Sequence, residues 1–189
     1  MKNTTIYIKN MICHRCIKSV KEDLTNLGLT VSHVKLGQAR FDDTPHISLM
    51  QIKNTLRKNG FDLIETTEEK LLEEIKRTII DLVQNNTQAL HEINFTTYLA
   101  EKTKKPYRLL SSTFSSAKKM TIEHYIILVK IEKAKELIEY GEMNLSQIAN
   151  HLGYKTVQHL SSQFRTITGK SAADYQKQKN KIRKGFEEI

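Results

Sequence analysis

LSSTF at residues 110–114 recurs as LSSQF at residues 160–164, fifty positions further along the chain. The same displacement relates Tyr125 to Tyr175. Chance can supply one five-residue match, but it does not readily place two tyrosines at the same offset as well. The chain therefore contains an internal repeat, and an internal repeat is a strong guide to architecture.

Each copy of the repeat reads as two helices around a tight turn. Leu99-Ala100 corresponds to Ile148-Ala149 at a displacement of forty-nine, so the first turn is one residue shorter. A small alanine suits the close crossing of two helices, and an amphipathic stripe follows it in both copies. The pattern predicts two helix-turn-helix units, at about 94–117 and 144–167, joined by a linker helix over 121–140.

The first 66 residues alternate between strand and helix signals. Ser48 and Gln51 form a capping-box pattern, which predicts the start of a helix. The predicted elements are a strand at 4–8, a helix at 17–27, strands at 29–36 and 39–42, a helix at 48–60 and a strand at 61–65. This order predicts an α+β fold class, with a ferredoxin-like βαββαβ domain at 1–66 and an all-α double helix-turn-helix domain at 67–189.

The positive charge of the chain is concentrated in its second half. The 189 residues carry 30 Lys and Arg against 21 Asp and Glu, a net charge of +9. Residues 1–87 hold 13 basic and 11 acidic side chains, which leaves 17 and 10 for residues 88–189. A basic module joined to a near-neutral one indicates a partner that is a polyanion. The alternative is that the lysines only form a solvated surface.

Composition also excludes several classes of protein. No run approaches the roughly 18 apolar residues that span a bilayer, and the N-terminus lacks the apolar run of a secretory signal. Two cysteines without a second pair favour a reducing, cytoplasmic location. No Ser/His/Asp set, carboxylate pair or glycine-rich phosphate loop is present, so we do not expect an enzyme.

Residues 131–175 resemble the C-terminal signature of the AraC/XylS family of bacterial transcription regulators. Leu160 departs from the phenylalanine that is usual there, a swap of similar volume. The first unit departs more, because Lys104, Lys105 and Pro106 occupy its turn. The matching positions are Ala134-Lys135, Ile148–Tyr154, Ser161–Arg165 and Gly169.

The resemblance implies a monomer that reads two successive major grooves of double-stranded DNA, about 34 Å apart. Arg108 would read guanine, Gln158 adenine, and Val157 a thymine methyl group. The candidates for base contacts are Arg108, Ser111 and Ser112 in the first unit and Val157, Gln158, Ser161 and Ser162 in the second. The candidates for phosphate contacts are Lys104, Lys105, Lys155, Thr156 and Arg165. The alternative for the serines is that they are merely small surface residues.

The other chemical motif is Met11-Ile12-Cys13-His14-Arg15-Cys16, between the first predicted strand and the first predicted helix. A helix N-terminus favours anionic sulfur, and two thiolates suit a soft ion of low coordination number such as Cu(I). The segment resembles the MxCxxC loop of the heavy-metal-associated domain of copper chaperones and metal-pumping ATPases. That resemblance implies that Cys13 and Cys16 bind metal, while Met11 and Phe61 pack beneath the loop.

Three interpretations of the cysteine pair stay open: ligation of Cu(I) or another thiophilic ion, a thiol–disulfide sensor, and a domain that serves dimerisation or a partner. His14 is a candidate third ligand, although an exposed histidine is the simpler interpretation.

The sequence predicts an AraC-type transcription regulator that responds to a thiophilic metal. Its predicted partners are double-stranded DNA, with RNA polymerase and a metal ion or metallochaperone as further candidates, and no membrane. The expected oligomeric state is a monomer or a homodimer. The competing hypothesis is a metal-trafficking or sequestering protein.

Overall fold

A computed structural model of the protein describes residues 3–42, 46–85, 90–91, 94–177, 184–186 and 189. The chain divides into two compact units, residues 1–73 and 74–189, and each is described by itself. The strands are β1 (Asn3–Lys9), β2 (Val31–Lys35), β3 (Gln38–Asp42) and β4 (Asp62–Leu63). The helices are α1 (His14–Asn26), α2 (Leu49–Arg57), α3 (Thr67–Asn85), α4 (Phe95–Thr103), α5 (Tyr107–Lys118), α6 (Ile122–Tyr140), α7 (Leu145–His151), α8 (Val157–Thr168) and α9 (Ala172–Lys177).

The first unit contains a four-stranded antiparallel sheet in the order β2-β3-β1-β4. Alternation along β1 and β3 places one set of side chains against α1 and α2 and the other set on the opposite face. The core between sheet and helices includes Ile6, Ile8, Val20, Leu24, Ala39, Phe41, Ile52 and Leu56. The mixed α+β class with a small N-terminal sheet is therefore as predicted.

The last strand is shorter than predicted. The sequence predicts a strand over 61–65, whereas β4 contains only Asp62–Leu63. The physical reason is that the backbone N–H groups of Glu65 and Thr66 donate to the Glu69 carboxylate, at 2.8 and 3.2 Å, instead of to a strand. The Thr66 hydroxyl in turn accepts from the Glu69 N–H at 3.1 Å. This reciprocal pair is a capping box, which turns the chain out of the sheet and starts α3.

The second unit is helical, and its two halves contain equivalent helices at a constant spacing along the sequence. Helices α5 and α8 are both twelve residues long and begin fifty positions apart. Asn94 caps α4 and Asn144 caps α7, each through its side-chain oxygen. The apolar faces of α5 and α8 are fully buried at Leu110, Phe114, Leu160 and Phe164, as the repeat predicts.

Helix α6 is the common support of the second unit. It contacts α5, α7, α8 and α9, and its residues Val129, Ile131 and Ala134 are completely buried. Phe114 of α5 packs on Tyr125 of α6, with ring centroids 5.1 Å apart. Packing against α6 therefore fixes the positions of both helix-turn-helix halves of this unit. None of the helices in the described part of the chain has the length and apolarity to cross a bilayer.

The turn between α7 and α8 depends on Gly153, whose φ of +69° is easily reached only without a side chain. A Cβ atom at this position would lie 2.7 Å from the Leu90 carbonyl oxygen and 2.8 Å from the Leu90 Cβ. Gly169, which ends α8, has a similar φ of +74° but has no atom within 4 Å of the equivalent position. A side chain at Gly169 would therefore cost backbone strain, whereas one at Gly153 would add steric overlap with Leu90.

We expect Gly169→Ala to lower the free energy of unfolding by about 1–2 kcal/mol, the cost of a left-handed residue with a side chain. Gly153→Ala should cost about 1–3 kcal/mol more, because Leu90 must also move. Denaturant unfolding of both variants measures the difference. Equal losses would mean that the Leu90 backbone shifts at no cost.

Lys130 is a buried cation within the second unit. Its Nζ lies 5.4 Å from the ring centroid of Phe95 and 5.2 Å from that of Tyr154. The side chain is 8% exposed, and burial lowers the pKa of Lys130 to about 8. The two rings stabilise the ammonium by cation–π attraction, which offsets part of the cost of burial. Lys130 thereby contacts one residue from each helix-turn-helix half.

The low pKa of Lys130 predicts a stability that rises with pH. Between about pH 8 and the ordinary lysine value near 10.5, the unfolded chain holds a proton that the folded chain has lost. The free energy of unfolding should therefore increase across this window by about 1–3 kcal/mol. Lys130→Met should lack this increment, and the difference between the two pH profiles isolates it from other titrating groups. Parallel profiles would contradict the assignment.

Candidate nucleic-acid interface and cysteine loop

Helices α5 and α8 each present an exposed polar side opposite their buried faces. In α5 this side contains Arg108 and Ser112, and in α8 it contains Gln158 and Ser162. Arg108 and Gln158 occupy the second position of their helices, fifty residues apart. Side chains at this end of a recognition helix are the ones that reach base edges when the helix enters a major groove.

The remaining predicted base-contact residues are less accessible. Ser111, Val157 and Ser161 are partly buried, because they border the apolar stripe of each helix. The hydroxyl of Ser112 is exposed, but it donates to the Leu109 carbonyl within its own helix at 3.1 Å. Arg108, Gln158 and Ser162 are therefore the members of the predicted set whose polar groups are both exposed and without a helix-backbone hydrogen bond.

The predicted phosphate-contact residues are exposed around α5 and α8, all but Arg165 at or before the helix starts. Lys104 and Lys105 belong to the turn before α5, and Lys155 lies in the turn before α8. Arg165 is exposed on the last turn of α8. Thr156 has a structural role, because its hydroxyl accepts the His159 N–H at 3.1 Å and caps α8. These residues place positive charge at both helices, where phosphates would flank a groove.

The turn before α5 and the turn before α8 start their helices with different residues. Lys104 adopts the left-handed region with φ +54°, and Pro106 begins α5 without a side-chain cap. The second helix-turn-helix half instead has Gly153 in its turn, and Thr156 caps α8. The backbone N–H groups at the start of α5 are thus not satisfied by a capping side chain, beside the exposed Arg108.

Leu109 and His159 were not predicted as site residues. Leu109 is 44% exposed, and the equivalent His159 is also exposed, with its ring edge-on to Tyr154 at 5.3 Å. The repeat carries a signal for both residues, because it aligns Leu109 and His159 at the third position of α5 and α8. An apolar Leu109 on a polar helix face is able to contact a thymine methyl group.

A hydrogen bond connects α5 to α6 near this surface. The Tyr107 hydroxyl donates to the Glu123 carboxylate at 2.5 Å. Burial and this bond raise the pKa of Tyr107, and the bond holds the pKa of Glu123 below its usual value. The interaction fixes the start of α5 to the first turn of α6.

The cysteine loop lies between β1 and α1, as predicted. Cys13 is the N-cap residue of α1 and is exposed, and Cys16 lies one turn later and is partly buried. Their Sγ atoms are 3.3 Å apart, and both are free thiols. Met11 is 3% exposed and Phe61 7%, so both belong to the core of the first unit. His14 is exposed.

The pKa of the Cys16 thiol differs from the expectation. A helix N-terminus favours the thiolate, yet burial raises the pKa of the Cys16 thiol, and the hydrogen bond with Cys13 adds to this. Desolvation therefore outweighs the helix terminus at Cys16. Among the described residues, no group of three or more His, Cys, Asp and Glu side chains has the arrangement of a metal site. The donor set on this loop is the two sulfurs, which fits a soft ion of low coordination number.

Two hydrogen bonds hold Asn10, the residue before the loop. Asn10 has a φ of +66°, and its side-chain amide donates to the Gly60 carbonyl at 2.9 Å. Its backbone N–H donates to the Glu73 carboxylate of α3 at 3.1 Å. The start of the cysteine loop is thus attached directly to α3.

Residues 99–178 match a family model described as a helix-turn-helix domain. The match runs from the last turns of α4 to the end of α9 and thus lies within the second unit. The chain has no match among curated protein sequences.

Three solved structures are similar to part of the chain. A DNA-binding transcriptional dual regulator from Escherichia coli K-12 has 18% identity and a TM-score of 0.47, over 55% of this chain and 89% of its own. The DNA-binding domain of AdpA, in complex with a target DNA, has 22% identity and a TM-score of 0.44, over 52% and 89%. The C-terminal domain of AraT, a response regulator from Geobacillus stearothermophilus, has 23% identity and a TM-score of 0.48, over 59% and 89%.

Proposed function

We propose that the protein is a sequence-specific, DNA-binding transcription regulator of the AraC type, and not an enzyme. The observation that carries this proposal is the duplicated arrangement of α5 and α8, two equal helices supported by α6 with Arg108 and Gln158 at equivalent exposed positions. The helix-turn-helix family match over residues 99–178 supports it. A role in DNA binding also implies a cytoplasmic location in a bacterial cell.

In this function the two recognition helices read separate parts of one duplex. The Arg108 guanidinium is suited to a bidentate contact with guanine, and the Gln158 amide to one with adenine. Lys104, Lys105 and Lys155 neutralise phosphates and set the affinity, and Arg165 adds to this at the other end of α8. Sequence preference therefore comes from a few side chains, while the basic surroundings supply most of the binding energy.

The first unit is proposed to bind a thiophilic metal ion such as Cu(I) through Cys13 and Cys16. The strand order β2-β3-β1-β4 with two helices on one face supports a ferredoxin-like fold of the heavy-metal-associated type. Cys13 and Cys16 would hold the ion as thiolates, each giving up its thiol proton to solvent. The paired sulfurs, one of them exposed, and the buried Met11 that holds the loop support this assignment.

The contact between Asn10 and Glu73 offers a route by which ligation could affect the second unit. Asn10 precedes the cysteine loop, and Glu73 lies in α3, the helix that contains the boundary between the units. If ligation changes the loop, the N–H of Asn10 and the carboxylate of Glu73 must adjust together. Coupling then requires that metal favour one of two states with different affinity for DNA.

The first test concerns base recognition by Arg108. Duplexes selected from a random library by the whole protein provide the target, and Arg108→Ala should lose about 1–3 kcal/mol of discrimination at one base position. Lys105→Ala should weaken all sequences alike and reduce the salt slope by about one. Ser116→Ala, at an exposed site further along α5, is the control and should leave binding unchanged. Equal weakening of every sequence by Arg108→Ala would rule out a base contact.

The second test concerns the metal. Competition for Cu(I) by the reduced protein should show binding that Cys13→Ser/Cys16→Ser abolishes and His14→Ala leaves unchanged. Adding Cu(I) should then alter the affinity of the wild-type protein for the selected duplex but not that of the double variant. Glu73→Ala should keep Cu(I) binding and lose the response of DNA affinity.

The outcomes separate the competing functions. Tight Cu(I) binding without sequence preference for DNA would favour a trafficking or sequestering protein. No Cu(I) binding would remove the metal proposal and leave thiol–disulfide sensing or dimerisation as the role of the first unit. A disulfide role predicts that oxidation, rather than Cu(I), changes DNA affinity.

A further inference from the structure

The sheet of the first unit has a second face, opposite the one that packs against α1 and α2. Ile6 and Ile8 of β1 point into the core, so Thr5 and Tyr7 point to the opposite face. The strand register continues this face across β3 and β2. One row contains Tyr7, Gln38 and Lys35, and the next contains Thr5, Arg40 and His33. We call these six residues, together with Lys70 of α3, the Tyr7 face.

The Tyr7 face combines an aromatic ring with a group of exposed cations. The Nζ of Lys70 lies 3.6 Å from the ring centroid of Tyr7. A hydrogen bond with Lys70 is the main cause that lowers the pKa of Tyr7, and the charges of Lys35 and Arg40 contribute. Within the described part of the chain, Lys35, Arg40 and Lys70 form no ion pair with a carboxylate. Their charge is therefore available to a ligand.

This combination identifies the chemistry of a ligand. Adjacent strands are about 4.8 Å apart, so Arg40 on β3 and Lys35 on β2 lie one and two strands from Tyr7, while Lys70 of α3 lies over its ring. Exposed cations on such a surface complement phosphates, and an aromatic side chain offers a plane on which a base can stack. In a duplex the base planes are stacked on each other, whereas a single strand exposes both its bases and its phosphates.

We propose that the Tyr7 face binds single-stranded nucleic acid, with one base on the Tyr7 ring and the flanking phosphates on Lys35, Arg40 and Lys70. Lys70 then moves its ammonium from the ring to a phosphate, which exchanges one electrostatic contact for another. The site differs in ligand and in location within the chain from the proposed duplex interface, and it does not depend on metal binding at Cys13 and Cys16.

The test uses the full chain, a fluorescent oligothymidylate and anisotropy at fixed salt. Lys35→Ala/Arg40→Ala should weaken binding by about tenfold or more, since two phosphate contacts are lost. Lys21→Ala/Lys58→Ala removes the same charge from exposed sites on α1 and at the end of α2, and should stay within about twofold. Equal weakening by both double variants would overturn the proposal, because binding would then follow net charge alone.

Tyr7 supplies a second readout, which electrostatics alone would not move. Tyr7→Leu should weaken binding about fivefold or more, and Tyr7→Phe, which keeps the ring, should restore it to within about twofold. Circular dichroism melting checks that each variant folds. Binding that Tyr7→Leu leaves unchanged would overturn the proposal.

Further controls separate the sheet from the helices and from lipid. Ser116→Ala, an exposed site on α5 outside the proposed contacts, should leave oligothymidylate binding unchanged. A loss of binding in Arg108→Ala, with none in the Tyr7 variants, would overturn the proposal and assign the single strand to α5. Vesicles of anionic phospholipid are the other probe. The proposal would be overturned in favour of a lipid surface if the protein bound vesicles but not the oligonucleotide, and if that binding depended on Lys35 and Arg40.

Discussion

Burial of α6 is the constraint on which the second unit depends. Apolar positions such as Val129 and Ile131 are completely covered, and several charged side chains are buried as well, so their polar groups must find partners within the protein. Glu132 accepts from Lys135 at 2.5 Å, and Lys133 donates to Gln84 and Glu136, each at 2.9 Å. A helix buried on nearly all sides has little freedom to tilt. The separation between α5 and α8 is consequently set by packing rather than by a flexible linker.

The two copies of the repeat reach the same geometry with different residues. The second copy uses Gly153 and Gly169 at its left-handed positions, whereas the first uses Lys104 and Lys119. An L-residue in this region costs about 1–2 kcal/mol, a cost that glycine avoids. The first copy thus retains two lysine side chains near its recognition helix at some expense in local stability. Positive charge near α5 and a well-formed turn make opposite demands on these positions.

Much of the architecture could be read from the sequence because it depends on local signals. The repeat located the helices of the second unit, since equal spacing of Leu110, Phe114 and their counterparts requires equal helices. The capping box at Ser48 and Gln51 predicted α2 and forms as expected. Thr66 and Glu69 carry the same signal, but the apolar residues Phe61, Leu63 and Ile64 favoured a longer strand. Competition between two local patterns is decided by hydrogen bonds that only the folded chain displays.

The sites were less predictable, because side-chain accessibility depends on tertiary packing. The adjacent pair Leu109 and Leu110 looks uniform in sequence, yet one is 44% exposed and the other buried. Ser111 and Ser112 divide in the same way between the edge of the apolar stripe and solvent. The thiol of Cys16 shows the same limit, since its burial changes its acidity while its sequence position at a helix start predicts the opposite. The Tyr7 face also needed the strand register, which brings together residues more than thirty positions apart.

The capping box at the start of α3 has a consequence for dividing this protein into fragments. Glu69 accepts not only the N–H groups of Glu65 and Thr66 but also the Lys9 ammonium at 2.5 Å, which holds the pKa of Glu69 below its ordinary value. Glu73 holds Asn10 in the same region. A fragment that ends at residue 66, where the strands end, would leave the end of β1 without both carboxylates. The first two turns of α3 therefore belong to the first unit as structural parts, and a cut that preserves the cysteine loop has to fall beyond residue 73.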